Sequence, residues 1–314
     1  MSDSLNMVGL AAASTIVRQN PAARALAYVE LSKPRIAMLV LVATGAGFFM
    51  GLPAHAQWSA LPLLGHVLWS VALVAAGANA LNQYLESDFD ALMQRTASRP
   101  IPSGRLTPVE VLAFGLLTGI TGVAWMALFV NLPSAQLAGL TLLLYVLLYT
   151  PLKRWTPLCV FVGAVPGALP PVIGWTAASG TLSPEAWPLF AIVFLWQLPH
   201  FAAIAWLHRE DYARAGYPML PVIDPGGHRT NLHMITHSVG LLMVSFIPVV
   251  GHSAGLIYAI GAMVLGLAFL AFGIYFVIHK TNTAARWHLL ASVLYLPALC
   301  ACLLADKLCR SLVV

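Results

Sequence analysis

Asn82, Glu86 and Asp90 stand four residues apart at the end of a long apolar run, in the stretch Asn82-Gln-Tyr-Leu-Glu86-Ser-Asp88-Phe-Asp90. On a helix, side chains at i and i+4 stack on one face, so this spacing aims an amide and two carboxylates at one place. The chain has only 11 acidic residues in 314, and three of them fall within these last five positions. Carboxylates inside a membrane are costly and are usually paired, hydrated or metal-bound. Two carboxylates and an amide suit Mg²⁺, a hard ion that takes oxygen ligands and shares them with phosphates. Asp88 lies off the shared face and reads as a helper or a solvated acid.

The elements that must position these groups are membrane helices. Hydrophobic residues make up 60% of the chain and charged residues 9%, against about 25% charged in soluble domains, and the mean hydropathy is +0.83. Apolar runs long enough to cross ~30 Å of hydrocarbon fall near residues 35–53, 62–85, 108–130, 134–150, 157–176, 186–207, 232–250, 254–279 and 286–306. The expected fold is all-α, a polytopic membrane bundle of nine transmembrane helices. Residues 1–30 form a cytoplasmic N-terminal segment, 31–306 the transmembrane domain and 307–314 a short external tail.

Charge placement agrees with that count. The 16 Lys and Arg residues lie before span 1, after spans 2, 4, 6 and 8, and in the tail, and the loops after spans 1, 3, 5 and 7 contain none. Basic residues mark the cytoplasmic side, which places the N-terminus and the even-numbered loops there and the C-terminus outside. The basic pI near 9.2 therefore follows from topology and does not imply nucleic-acid binding. Cys159, Cys300, Cys302 and Cys309 form no CxxC pair and read as small hydrophobes. Nucleotide-binding glycine motifs are absent, so ATP-driven transport lacks its engine.

The chain repeats coarsely with a period of four helices, giving two four-helix halves plus a ninth helix. Span 2 ends in the first acidic cluster, followed by Arg99-Pro-Ile-Pro-Ser-Gly-Arg105. Span 6 ends in His208-Arg-Glu210-Asp211-Tyr, followed by Tyr217-Pro-Met-Leu-Pro221. Repeats of this kind place a site between the halves. Two acidic clusters facing each other at one mouth suit Mg²⁺ ions bridging a diphosphate, with the adjacent Arg and Lys side chains gripping the same phosphates. Asp211 reads as a further metal ligand or as a solvated loop acid. His200, unusual inside a span, reads as a ligand contact or as a helix-packing histidine. His233 and His237 form an i, i+4 pair at a wet helix start, and Gly47-x-x-x-Gly51 reads as close helix packing.

The segment Asn82-x-x-x-Glu86-x-x-x-Asp90-x-x-Met93-x-Arg95-Thr96-x-x-Arg99-Pro100 resembles the first signature of the UbiA-type intramembrane prenyltransferases. Further segments are similar to the protohaem IX farnesyltransferase (haem O synthase) subgroup. They are Lys33-Pro-Arg35; Tyr149-Thr-Pro-Leu-Lys153-Arg154-x-Thr-Pro157 with Gly163-Ala-Val-Pro-Gly-Ala-Leu-Pro-Pro171; Trp196-Gln-x-Pro-His200-Phe201; and Asp211-Tyr-Ala-Arg214-Ala-Gly-x-Pro-Met-Leu-Pro221. In that family Asp usually stands where this chain has Glu86, and a polar residue, often Asn, where it has Cys159.

The resemblance implies that farnesyl diphosphate ionises and alkylates a vinyl group of haem B, and that water then adds to give haem O. It implies Glu86, Asp90 and Asp211 as metal ligands, with Asn82 beside them in the catalytic set. The implied substrate-binding residues are Arg35, Arg95, Arg99, Lys153, Arg154, His200, Arg209 and Arg214. Haem B is then a substrate and not a prosthetic group, and Mg²⁺ is the cofactor. The implied setting is the lipid bilayer of a bacterial inner membrane, with the site on the cytoplasmic side and a haem A synthase or terminal oxidase as the class of receiving partner. Tyr84, Tyr149, Trp155 and Trp196 are placed to stabilise a cation or to anchor the membrane interface. Two other readings compete: a prenyltransferase acting on an aromatic quinone precursor, and a secondary transporter.

Topology is directly testable. Reporter fusions after residues 104, 153, 225 and 282 should read cytoplasmic, and those after 57 and 180 external. An external reading at both 104 and 225 would put the two acidic clusters on the wrong face.

Overall fold

The computed structural model describes residues 21–53 and 59–313, and among these it is helical throughout its regular structure. Among the described residues, nine helices are long and apolar enough to cross a membrane: Pro34–Gly51, Leu61–Leu85, Pro108–Phe129, Leu132–Leu152, Cys159–Ser179, Pro184–Leu207, His228–Val250, Leu256–His279 and Asn282–Ser311. Each overlaps one of the nine expected spans. The helices are α1 Pro21–Leu31, α2 Pro34–Gly51, α3 Leu61–Leu85, α4 Ser87–Leu92, α5 Pro108–Phe129, α6 Leu132–Leu152, α7 Cys159–Ser179, α8 Trp187–Leu207, α9 Arg209–Arg214, α10 His228–Val244, α11 Leu256–His279 and α12 Asn282–Val313.

The helices pack as a closed ring. One half runs α2–α3–α5–α6, the other α7–α8–α10–α11. The ninth spanning helix, α12, lies against α11 and α8 and returns to α2, so it closes the two halves. The faces toward lipid stay apolar: Leu117, Leu128, Val264 and Ile278 are all more than half exposed. Hydrocarbon around the helices leaves little hydrophobic gain for helix–helix contact, so close backbone approach must hold the bundle together. The α2–α7 crossing does this with glycine. A Cβ at Gly47 would lie 1.9 Å from the Pro171 carbonyl oxygen, and one at Gly174 would lie 2.0 Å from that of Thr44. Gly51 likewise faces the Trp175 backbone. The Gly47–Gly51 spacing is therefore the packing motif that it resembles.

Both described chain ends are helical and tied to the bundle. Residues 1–20 of the expected N-terminal segment lie outside the described residues, but Pro21–Leu31 is a helix, tied to the bundle by two ion pairs. Arg24 meets Glu110 at 2.5 Å and Arg105 meets Glu30 at 2.6 Å. Glu110 also completes the capping box that starts α5, accepting from the Thr107 N–H at 2.8 Å. At the C-terminal end, α12 continues to Val313. Lys307 donates to the carbonyls of Phe49, Met50 and Leu52, filling the open acceptors at the end of α2.

Substitution along one face of α2 should separate packing from propensity. Gly47→Val drives a branched side chain into the Pro171 backbone and should cost at least ~3 kcal/mol, the upper part of the overpacking range. Gly45→Ala, where nothing lies within 4 Å, should be neutral or stabilising by up to ~1 kcal/mol. Thermal unfolding of the detergent-solubilised variants measures both, and equal melting temperatures would overturn the account of the crossing.

Candidate active site

Helix α3 ends where its chemistry begins. Glu86 closes α3 and opens α4, while the Glu86 and Asp90 amides still bond the carbonyls four residues back, at 3.0 and 2.8 Å. Helical periodicity therefore carries through the break, and Asn82, Glu86 and Asp90 are all buried. Asp88 is exposed, as its place off that face implies.

Each buried acid has a cation. Arg99 reaches both oxygens of Asp90 through a single guanidinium nitrogen, Nη1, at 2.7 and 2.6 Å, a charge-assisted contact that leaves its other N–H groups free of Asp90. Lys153 approaches Glu86 to 2.8 Å at Oε1 and donates a hydrogen bond to Oε2 at 3.2 Å. Oε1 is fully buried and, among the described residues, receives no donor in hydrogen-bond geometry, so it keeps a lone pair for a further electropositive partner. Lys153 reaches the site because α6 widens into a π-helical turn over Leu144–Tyr149 just before it. In that wider turn the Thr150 hydroxyl donates to the Tyr145 carbonyl at 2.8 Å, and its oxygen accepts the Asn82 amide N–H at 3.1 Å. The Asn82 oxygen is left facing the Lys33 ammonium at 3.5 Å.

Lys33 is the residue to which the sequence points only indirectly. Arg35 is the expected contact, but Arg35 is exposed, and Lys33 occupies the site two residues earlier. The turn between α1 and α2 puts Lys33 at φ 47°, and α3 pins that turn. Asn79 donates to the Ser32 carbonyl and Gln83 to that of Leu31. The result is three cations, Lys33, Arg99 and Lys153, around two carboxylates. Burial, with Arg99 and Lys153 nearby, pulls the Lys33 ammonium down to about 7 despite Glu86 and Asp90. For Lys153, burial acts the same way, but the Glu86 carboxylate outweighs it and holds the ammonium well above its ordinary value. Burial raises Asp90 in spite of Arg99.

Asp211 is not brought into this cluster. Its oxygens accept the backbone N–H groups of Gln94 and Arg95 at 3.1 and 3.3 Å and pair with Arg214 at 2.8 Å. These bonds outweigh partial burial and lower its affinity for a proton. Asp211 thus clamps the α8–α9 junction onto the loop after α4, and among the described residues no three His, Cys, Asp or Glu converge on one point. The remaining candidates divide. Arg95 and Arg214 are exposed. Arg154 bonds the Leu85 carbonyl at 2.6 Å and covers the Phe89 ring. Arg209 holds the Trp206 carbonyl and Asn282. Of these four, none faces the Glu86–Asp90 pair.

Below the charged cap, an apolar cavity offers about 280 Å³ to the centres of water-sized molecules. Asn79, Tyr145 and Tyr149 line it together with Val71, Val74 and Ile173 of the surrounding helices; Trp196, Gln197, His200 and Phe201 form its α8 wall. Tyr149 and Trp196 are thus cavity aromatics, whereas Trp155 is 81% exposed and Tyr84 packs among residues of α1 and α5. Cys159 is buried, its thiol directed at the Pro157 carbonyl, in keeping with a packing role. The His233–His237 pair is no wet helix start: His233 is buried against Phe161.

A hard cation fits the chemistry of the cap. The Asn82 amide oxygen and the Glu86 and Asp90 carboxylates are buried oxygen donors of the kind Mg²⁺ takes.

The UbiA prenyltransferase family matches residues 38–299. The chain is 46% identical to Protoheme IX farnesyltransferase of Solibacter usitatus (strain Ellin6076), over 89% of this chain and 98% of that protein. It is 44% identical to the protein of the same name from Salinibacter ruber (strain DSM 13855 / M31), over 89% and 98%. Among solved structures, a digeranylgeranylglyceryl phosphate synthase superposes with a TM-score of 0.73 at 17% identity, covering 91% of this chain and 99% of that one. A UbiA homolog from Archaeoglobus fulgidus bound to DMAPP and Mg²⁺ superposes with a TM-score of 0.61 at 17% identity, covering 88% and 98%. The nine spanning helices of the described residues share the fold of these solved structures, and the chain belongs to the UbiA prenyltransferase family, among its protoheme IX farnesyltransferases.

Proposed function

We propose that the chain transfers the farnesyl group of farnesyl diphosphate to a vinyl group of haem B, with addition of water, giving haem O and diphosphate. One observation carries the reading: a cap of three cations and two carboxylates adjoins an apolar cavity, with the Lys153 ammonium 4.6 Å from the ring of Tyr149 that lines it, so a molecule with a diphosphate head and an isoprenoid tail is matched at both ends. The choice of haem as acceptor rests on the names of the relatives at 46% and 44% identity. A transporter would place its carboxylates near mid-membrane, whereas Glu86 and Asp90 lie at the end of their span. The setting we infer is a bacterial inner membrane with the cap on the cytoplasmic side.

Lys33, Arg99 and Lys153 bind the diphosphate and stabilise the charge that grows on it as the allylic C–O bond breaks. Glu86 and Asp90, with Asn82, would hold Mg²⁺, which when bound supplies Lewis-acid stabilisation of the leaving diphosphate. Asp211 fixes the second loop over the first through the Gln94 and Arg95 amides and would be the further carboxylate to hold the metal. The apolar helices keep water from the allylic cation until it meets the vinyl carbon. Tyr149 and Trp196 present ring faces to that cation, worth ~2 kcal/mol each when desolvated. Arg95, Arg154, Arg209 and Arg214 contribute as positive charge around the mouth.

Membranes expressing the chain should yield haem O by chromatography and mass, and chelation of Mg²⁺ should abolish its formation reversibly. Asp90→Asn should lower transfer at least ~100-fold, because an amide lacks the charge both for the metal and for Arg99, and a broken buried pair costs ~3–5 kcal/mol. Glu86→Asp should keep substantial activity where Glu86→Gln loses most of it. Equal performance of Asp and Gln would remove Glu86 from the metal shell and make Asp88 the next candidate.

The cations predict a different kinetic signature. Lys153→Ala or Arg99→Ala should raise the apparent KM for farnesyl diphosphate, while haem B affinity measured without isoprenoid stays within about twofold. A fall in haem affinity of the same size as the rise in KM would reassign these residues to the porphyrin.

A further inference from the structure

His200 is held in one orientation by three contacts that involve a single residue of the ninth spanning helix. Its Nδ1 lies 2.7 Å from the Ser292 hydroxyl oxygen, and that hydroxyl donates its own proton to the Leu289 carbonyl at 2.6 Å. A serine hydroxyl has one proton to give. With that proton committed to Leu289, the Ser292 oxygen can only accept from His200, so Nδ1 carries the hydrogen. The Ser292 carbonyl in turn accepts the Trp196 indole N–H at 2.8 Å, and the Trp196 ring stacks on the imidazole with centroids 5.1 Å apart and planes 23° from parallel. The ring is therefore fixed at its edge by the Ser292 side chain and on its face by a tryptophan pinned to the Ser292 backbone.

The consequence lies at the other nitrogen. In a neutral imidazole with its hydrogen on Nδ1, Nε2 carries the lone pair. His200 lines the cavity, and its Nε2 has no partner among the described residues. A neutral, fixed, unsatisfied imidazole nitrogen in an apolar cavity is a good donor to iron and a poor one to a diphosphate. We propose that Ser292 is a positioning residue: it locks His200 as the Nδ1–H tautomer and presents Nε2 to the iron of the haem substrate, setting which porphyrin edge reaches the isoprenoid. This rests on the reading of haem B as acceptor. It follows the general pattern in which the second nitrogen of a metal-binding histidine is held by a hydrogen-bond acceptor, whose loss costs ~10–100-fold in affinity. His288, one turn before Ser292, is fully buried with both ring nitrogens unpartnered among the described residues. It does not line the cavity, so it is the control histidine.

The experiment titrates the detergent-solubilised full chain, without isoprenoid, with haem B and separately with metal-free protoporphyrin IX, following the Soret band. His200→Ala should remove the imidazole-ligated spectrum and weaken haem B at least ~10-fold, leaving protoporphyrin IX affinity unchanged. Ser292→Ala should weaken haem B about 10-fold and shift the Soret band, and Ser292→Thr, which keeps the hydroxyl, should restore both. Equal losses for haem B and protoporphyrin IX in His200→Ala would mean pocket shape and not iron ligation, and would overturn the proposal. So would a Ser292→Ala protein with the parent's spectrum and affinity, or an imidazole spectrum that survives His200→Ala and disappears in His288→Ala. Haem O formation is assayed in parallel. Ligation as expected without haem O formation sinks the proposed function alone, and haem O formation with unchanged binding in His200→Ala sinks this inference alone.

Discussion

Two carboxylates buried at the end of a membrane helix set the terms for the rest of the structure. An unpaired charge in a low-dielectric site costs several kcal/mol, so Glu86 and Asp90 require cations, and those cations must come from elsewhere in the chain. Arg99 arrives from the loop after α4, Lys153 from the end of α6 and Lys33 from the turn before α2. The local oddities of the fold serve these deliveries. The π-helical turn in α6, the left-handed backbone at Lys33 and the two amide side chains that pin it each bring a positive charge to α3. With the cap assembled, the end of the bundle carries three cations against two carboxylates, a surface suited to a polyanion, and the adjoining cavity stays apolar.

Pairing each carboxylate with a cation also readies the cap for a charged substrate. Arg99 and Lys153 satisfy Asp90 and Glu86 while no phosphate is present, and the same cations are suited to phosphate oxygens. On the proposed reading, a diphosphate would draw on these cations, and Glu86 and Asp90 would be the residues to hold a hard metal ion. Lys33 supplies the remaining positive charge, and its depressed proton affinity follows from the two other cations and the burial that brought all three together.

Much of this is legible in the sequence, for physical reasons that vary by feature. The nine spans follow from run length and from the alternation of basic loops, both set by the bilayer itself. The Asn82–Glu86–Asp90 face follows from helical periodicity, which survives the break at Glu86 because the i→i−4 bonds continue through it. Long-range pairings are less readable. Arg35 rather than Lys33 looks like the contact, since nothing in Lys33-Pro-Arg35 announces a left-handed turn. Asp211 looks like a facing ligand, since spacing shows which loop an acid occupies but not that the neighbouring loop offers two backbone N–H groups to it. Thr150 escapes a sequence reading altogether. Its role depends on a π-helical turn, for which composition carries no clear signal.

The α8–α12 seam shows the same limit from the other side. His200 stands out because an imidazole inside a span is unusual, but Ser292 carries no sequence signal: a serine in an apolar helix commonly bonds back to its own backbone. Ser292 does so, through Leu289, and that ordinary bond is what gives it an unusual effect. By spending its proton within α12, the hydroxyl is left as an acceptor only, and a helix-internal hydrogen bond thereby fixes the tautomer of a histidine on another helix. The cap and the seam thus use one principle at opposite polarity. In the cap, groups are held in pairs that a charged substrate can take over. In the seam, each donor is consumed internally, so that a single lone pair is left over for the second substrate.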